Sequence, residues 1–125
     1  MLEIREKFTA DGYEELFGSK VSDSFHITEA VDKDEVIGFI AYSYETDKTI
    51  VYDYDDGGEL MLCDGLVRSV IYKSCIKAIE VIDFRLSDEK KYGSLRKLKF
   101  LSENSKTAEN IDRFMNGCQN CKHNK

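Results

Sequence analysis

The chain has 125 residues, 42% apolar and 34% charged, with a formal net charge of −6. That is enough for one domain whose core needs no staples. The acidic balance argues against nucleic acid or an anionic membrane surface as a partner, and no apolar run reaches the length of a membrane span. The charged opening Met1-Leu-Glu-Ile-Arg-Glu-Lys7 is unlike a secretory signal, which predicts a cytoplasmic protein whose four cysteines need not be paired.

Taken in chain order, Phe8 to Phe17 reads as a short helix ending before Gly18. Ser24 to Val31 alternates as a strand, and Asp32-Lys33-Asp34 is a turn. Glu35 to Tyr44 is a long strand, with Gly38 as a bulge or a point of close approach. Thr46-Asp47-Lys48 turns again into a strand over Thr49–Tyr54. Asp55-Asp56-Gly57-Gly58 reads as a hairpin turn, because both glycines accept positive φ.

The short apolar run Glu59-Leu-Met-Leu-Cys63 then predicts another strand. Asp64 stands where a helix N-cap belongs. Leu66, Val67, Val70, Ile71, Ser74, Cys75, Ala78 and Ile79 mark one face of a helix over about 65–79. Val81–Leu86 is strand-like, and Ser87, Asp88 and Glu89 open a second helix carrying Leu95 and Leu98 toward Phe100. The expectation is that Leu60–Cys63 and Val81–Leu86 are adjacent parallel strands joined by a right-handed helical crossover. Ser105 or Thr107 opens a last helix with Ile111, Phe114 and Met115 on its apolar face, closed by Gly117. The fold class is therefore α/β, with antiparallel N-terminal strands leading into a strand–helix–strand–helix unit. It forms one domain over 1–117, with a tail over 118–125.

This order of elements resembles the GNAT superfamily of acetyl-CoA-dependent N-acyltransferases. Glu35-Val-Ile-Gly-Phe-Ile-Ala41 is similar to an early strand of that family, Leu60–Ile79 to its central strand and cofactor-side helix, and Leu95–Phe100 to the end of its next helix. The helix start Asp64-Gly-Leu-Val-Arg-Ser69 with a terminal C-x-x-C also resembles small GNAT-like proteins of clostridial type. The resemblance implies acetyl-CoA as cofactor, held by Leu62 and Cys63 of the central strand and by Gly65, Arg68 and Ser69 at the helix start. It implies acyl transfer to a small-molecule or protein amine. Three positions depart from the family pattern. Asp64 puts a negative charge where pyrophosphate would sit, Leu95 replaces a tyrosine acid, and Lys99 replaces a glycine. These departures favour a second reading, a GNAT-derived binding or regulatory module that does not catalyse.

For catalysis, Tyr92 lies one turn before Leu95 and is the candidate acid, while Glu59 is the leading candidate base. Asp53 and His26 are further candidates, although the alternation Phe25-His26-Ile27 turns His26 toward solvent. The acidic run Asp53–Glu59 lacks the frame of a calcium loop and reads as a solvated tip. Cys118 and Cys121 have the spacing of zinc ligands or of a redox pair. Zinc needs four ligands, so two tails from a homodimer would have to supply the thiolates. The plain alternative is a flexible tail with two free thiols. Cys63 and Cys75 read as packing residues.

Overall fold

The computed structural model describes residues 2–7 and 25–115. The expected Phe8–Phe17 helix, Gly117, Cys118 and Cys121 lie outside the described residues. Six strands form one sheet in sequence order: β1 (Leu2–Lys7), β2 (Phe25–Asp32), β3 (Glu35–Tyr44), β4 (Thr49–Asp55), β5 (Val81–Phe84) and β6 (Thr107–Glu109). Helix α1 (Leu60–Ile76) follows β4, helix α2 (Glu89–Lys97) follows β5, and a 3₁₀ helix covers Ile111–Met115. All neighbouring strands are antiparallel except β4 and β5.

The N-terminal strands follow their alternation. Lys33 and Asp34, both at positive φ, make the two-residue turn between β2 and β3. One strand went unread in the sequence. Leu2-Glu-Ile-Arg-Glu-Lys7 is the edge strand β1, paired with β2 from Leu2↔Asp32 to Lys7↔Ile27.

Glu59–Cys63 is not a strand. Leu62 and Cys63 extend the helical period of Leu66, Val67, Val70, Ile71 and Ser74, and all seven are buried on one face of α1. A four-residue apolar run fits a strand or a helix equally well, and here the longer period decides. The strand parallel to β5 is therefore β4, through Thr49↔Ile82, Ile50↔Asp83 and Val51↔Phe84. Asp55–Gly58 joins β4 to α1 rather than closing a hairpin. The helix expected from Ser105 or Thr107 is also corrected. Thr107–Glu109 pairs antiparallel with β5, and only Ile111–Met115 turns helically.

The main core packs the apolar face of α1 against Ile40, Tyr42, Val51, Tyr54, Ile82 and Phe84 of the sheet, and is closed by Tyr92, Leu95, Phe100 and Ile111. A buried pair, Thr49 Oγ1 to Ser74 Oγ at 2.7 Å, fixes the start of β4 to the end of α1. Both helices end in the same six-residue hydrogen-bonded motif. Ile79 N–H donates to Ser74 O and Phe100 N–H to Leu95 O, and the left-handed positions are Ala78 (φ 62) and Lys99 (φ 69). Glycine would suit both, and a side chain there costs about 1–2 kcal/mol.

Gly38 sets how closely the β4–α1 turn lies on β3. A bulge at Ile37 shifts the register between Ala30↔Gly38 and Val31↔Val36. A Cβ at Gly38 would stand 2.6 Å from Asp55 O and 3.0 Å from Leu62 Cδ2. The nearer obstacle is backbone and cannot swing away. Gly38→Ala is expected to destabilise the domain by about 1–3 kcal/mol, read as the midpoint of urea unfolding. An unchanged midpoint would show that the turn can withdraw without cost.

Candidate functional site

The place to look is the C-terminal edge of the parallel pair, where strand ends meet helix starts. Strands β4 and β5 pair only as far as Val51↔Phe84, after which Arg85 N–H donates to Val51 O at 2.9 Å. A second bulge lies there, because Ala41 pairs with Asp53 and Tyr42 with Val51, leaving Tyr52 as the extra residue. Beyond it β4 runs on through Tyr52–Asp55 without β5 beside it, so the sheet parts between the starts of α1 and α2.

The chain fills this opening itself. Lys91, in the first turn of α2, donates its Nζ to Asp53 Oδ1 at 2.7 Å and to Tyr54 O at 2.6 Å. The Tyr54 hydroxyl donates back to Lys91 O at 2.7 Å. Burial holds the Tyr54 phenol well above the usual tyrosine range, so it stays protonated. A neutral phenol and a lysine thus lock the free end of β4 to α2.

The turn before α1 is also bonded internally. Gly57 and Gly58 take φ 61 and 82, which turns their N–H groups back toward the preceding carboxylates. Asp55 Oδ1 accepts from Gly57 N–H and Asp56 Oδ1 from Gly58 N–H, each at 2.9 Å. Glu59, the expected base, is the N-cap residue of α1. It is exposed, and its side chain makes no capping bond.

The residues expected to hold cofactor sit elsewhere. Leu62 and Cys63 face the core, and burial pushes the Cys63 thiol up to about 11. Gly65, Arg68 and Ser69 lie inside α1, past its first turn. Asp64 is not an N-cap. Its carboxylate receives Arg68 Nε at 3.0 Å, and Arg68 Nη1 also donates to Phe114 O at 2.6 Å. The Ser69 hydroxyl donates to Leu66 O.

Tyr92, the expected acid, is fully buried. Its hydroxyl donates to Phe84 O at 2.9 Å and accepts from Leu86 N–H at 2.9 Å, stapling the β5–α2 connection. Of the candidates, only Asp53 and Glu59 flank the parted strands. The sequence did not single out Lys91, Asp55 or Asp56 as site residues. The signal that could have found them is Asp-Asp-Gly-Gly directly between a strand and the true start of the helical period at Leu62. No set of three or more metal-ligating side chains occurs among the described residues. No helix among them is long and apolar enough to cross a membrane.

This architecture, a meander parting at one parallel pair with a helix start at the gap, is the fold of the GNAT N-acetyltransferases. The chain is similar to the ribosomal-protein-S18-alanine N-acetyltransferase of Escherichia coli, with a TM-score of 0.63 and 14% identity over 83% of this chain and 80% of that one. It is similar to a ribosomal-protein-alanine N-acetyltransferase of Brucella melitensis, with a TM-score of 0.64 and 10% identity over 84% and 96%. It is also similar to the PaiA N-acetyltransferase of Thermoplasma acidophilum in complex with coenzyme A, with a TM-score of 0.60 and 11% identity over 84% and 92%. No family model matches the chain. No curated protein matches it by sequence.

His26 belongs to a different cluster, at the C-terminal end of α1. It is half-buried, not solvent-facing. Its Nδ1 lies 2.8 Å from Glu6 Oε2, and its ring stacks on Tyr42. Lys73 Nζ donates to Glu6 Oε1 at 3.1 Å and to Thr28 Oγ1 at 3.2 Å. Burial raises the Tyr42 phenol to about 12, so the cluster's charge is carried by Glu6, Lys73 and, when protonated, His26. Burial alone would raise the Glu6 pKa, but bonds from His26 and Lys73 prevail and hold it below the usual carboxylate value. A depressed carboxylate contributes stability above its unfolded pKa and loses it as pH falls through the folded value. Glu6→Gln is therefore expected to lower the melting temperature by roughly 1–4 °C at pH 7 and to lessen its fall between about pH 5 and 3. Parallel melting curves for the two chains across that range would contradict this role for Glu6.

Proposed function

We propose that this chain is a binding module built on the GNAT fold, with its helix start closed to the pyrophosphate of acyl-CoA. The observation that carries this reading is the pair of bonds from Gly57 and Gly58 N–H to Asp55 and Asp56. A helix start recognises an anion through free N–H groups and a positive dipole end worth roughly 0.3–1 kcal/mol. Here the N–H groups of the turn that leads into the helix already face carboxylates. Even at the dielectric of water, one carboxylate about 5 Å from an anion repels it by about 0.8 kcal/mol. Asp55, Asp56 and Glu59 follow one another through this turn. Repulsion therefore outweighs the dipole. The filled gap points the same way, since Lys91 takes the Tyr54 carbonyl of the free strand end. On this reading the residues of the turn do not fit the pyrophosphate of acetyl-CoA.

N-acyl transfer from acyl-CoA to an amine is the second reading. It is favoured by the parting of β4 and β5 and by neighbours that are N-acetyltransferases, one of them a coenzyme A complex. Those neighbours are named for different acceptors, a ribosomal-protein alanine in one case and an aminoglycoside in another, so the fold singles out no acceptor.

Calorimetry with acetyl-CoA separates the two. The unaltered chain is expected to show no saturable binding at up to about 1 mM. The double variant Asp55→Asn, Asp56→Asn retains side-chain oxygens for the glycine N–H groups while removing two charges, and is expected to gain measurable affinity. Micromolar binding by the unaltered chain would overturn the first reading and promote the second.

A further inference from the structure

Where the end of α2 meets the segment that follows it, a hollow of about 460 Å³ is lined by Arg96, Lys99 and Arg113, with Leu101, Phe114 and Ser102. Three cations on one wall are unexpected in a chain of net charge −6. Among the described residues, none of the three is paired with a carboxylate. The ion pairs formed by neighbouring cations involve Arg68, Arg85, Lys91 and Lys106 instead. Arg96 donates one Nη2 bond to Ser105 O at 3.3 Å and lies over the Tyr92 ring, while its Nε is buried with no hydrogen-bond partner. Arg113 lies over the Phe114 ring at 4.6 Å.

A helix C-terminus attracts cations, which accounts for Arg96. It does not account for Arg113, which comes from the 3₁₀ helix. Nor does it account for a lysine at the left-handed position, where glycine would be unstrained. The 3₁₀ helix is held in place by Arg68, through Phe114 O and a stack on Phe100, and Phe100 meets Phe114 edge to face at 5.1 Å. Like charges from two elements are thus fixed around one space beside an apolar wall.

We propose that this hollow binds a phosphomonoester, its phosphate among Arg96, Lys99 and Arg113 and its apolar part against Leu101 and Phe114. Guanidinium groups match phosphate oxygens in pairs, and a dianion is the ligand that three unopposed cations accommodate best. The volume falls within the range of small-molecule sites. No lining residue belongs to β4, the β4–α1 turn or α1, so the inference stands whether or not acyl-CoA binds there.

The test titrates the full chain with phenyl phosphate at constant ionic strength, following melting temperature and calorimetric heat. For a Kd of roughly 1 mM, about 10 mM ligand should raise the melting temperature by about 3–5 °C. Arg113→Gln and Lys99→Gly should each weaken binding about tenfold, and Lys90→Gln, on α2 but outside the hollow, should not. Lys99→Gly also separates binding from folding, because relief of the left-handed strain should raise the melting temperature of the free chain. Absence of saturable binding at about 10 mM would overturn the proposal. So would undiminished binding by both hollow variants, or equal weakening by Lys90→Gln.

Discussion

The molecule depends on the burial of one face of α1 against the middle of the sheet. Seven residues of that helix are buried, from Leu62 to Ser74, and all but Ser74 share one core cluster with residues of β2 to β6. Each large aliphatic side chain removed from water contributes about 1.5–3 kcal/mol, far more than any polar contact described above. That burial fixes the axis of α1, and with it the crossover that makes β4 and β5 the one parallel pair. Once those strands run side by side and then part, the functional landmarks of the fold have their positions.

What happens at the parting is a matter of side chains. Gly38 lets the β4–α1 turn settle on β3 with its carbonyl close by. Two glycines then aim their N–H groups at aspartates, and Lys91 crosses from α2 to the loose strand end. In this fold, shared with acetyltransferases, the Gly57 and Gly58 N–H groups and the Tyr54 carbonyl are bonded within the chain. The Tyr92 hydroxyl, held between Phe84 O and Leu86 N–H, ties the β5–α2 connection.

The sequence made the fold class legible because alternation in β2–β4 and the 3.6 period of α1 are strong signals, and Asp88 capped α2 as expected through Lys90 N–H. The boundary at Glu59–Cys63 was not legible, since four apolar residues carry too few periods to separate strand from helix. That single boundary displaced the helix start by about one turn. Gly65–Ser69 therefore lie inside α1, and the turn that leads into the helix is Asp55–Glu59. β1 was hidden because an edge strand with Glu3 and Arg5 in alternation reads first as a charged terminus. The hollow between Arg96 and Arg113 joins residues 17 positions apart with no shared periodicity, and only the folded chain brings them together.

The tie from Glu6 to His26 and Lys73 also governs what the sheet presents to other chains. β1 is the outermost strand, with Leu2 and Ile4 exposed, and it covers β2 from Ile27 to Asp32. Were it to peel away, the Ile27–Asp32 stretch of β2 would lose its partner strand along a ribbon that includes Ile27, Ala30 and Val31. Such a ribbon templates strand addition by another copy. By anchoring β1 to a helix as well as to its neighbour strand, Glu6 acts as a guard against self-association. Acid, by protonating that carboxylate, would weaken the guard.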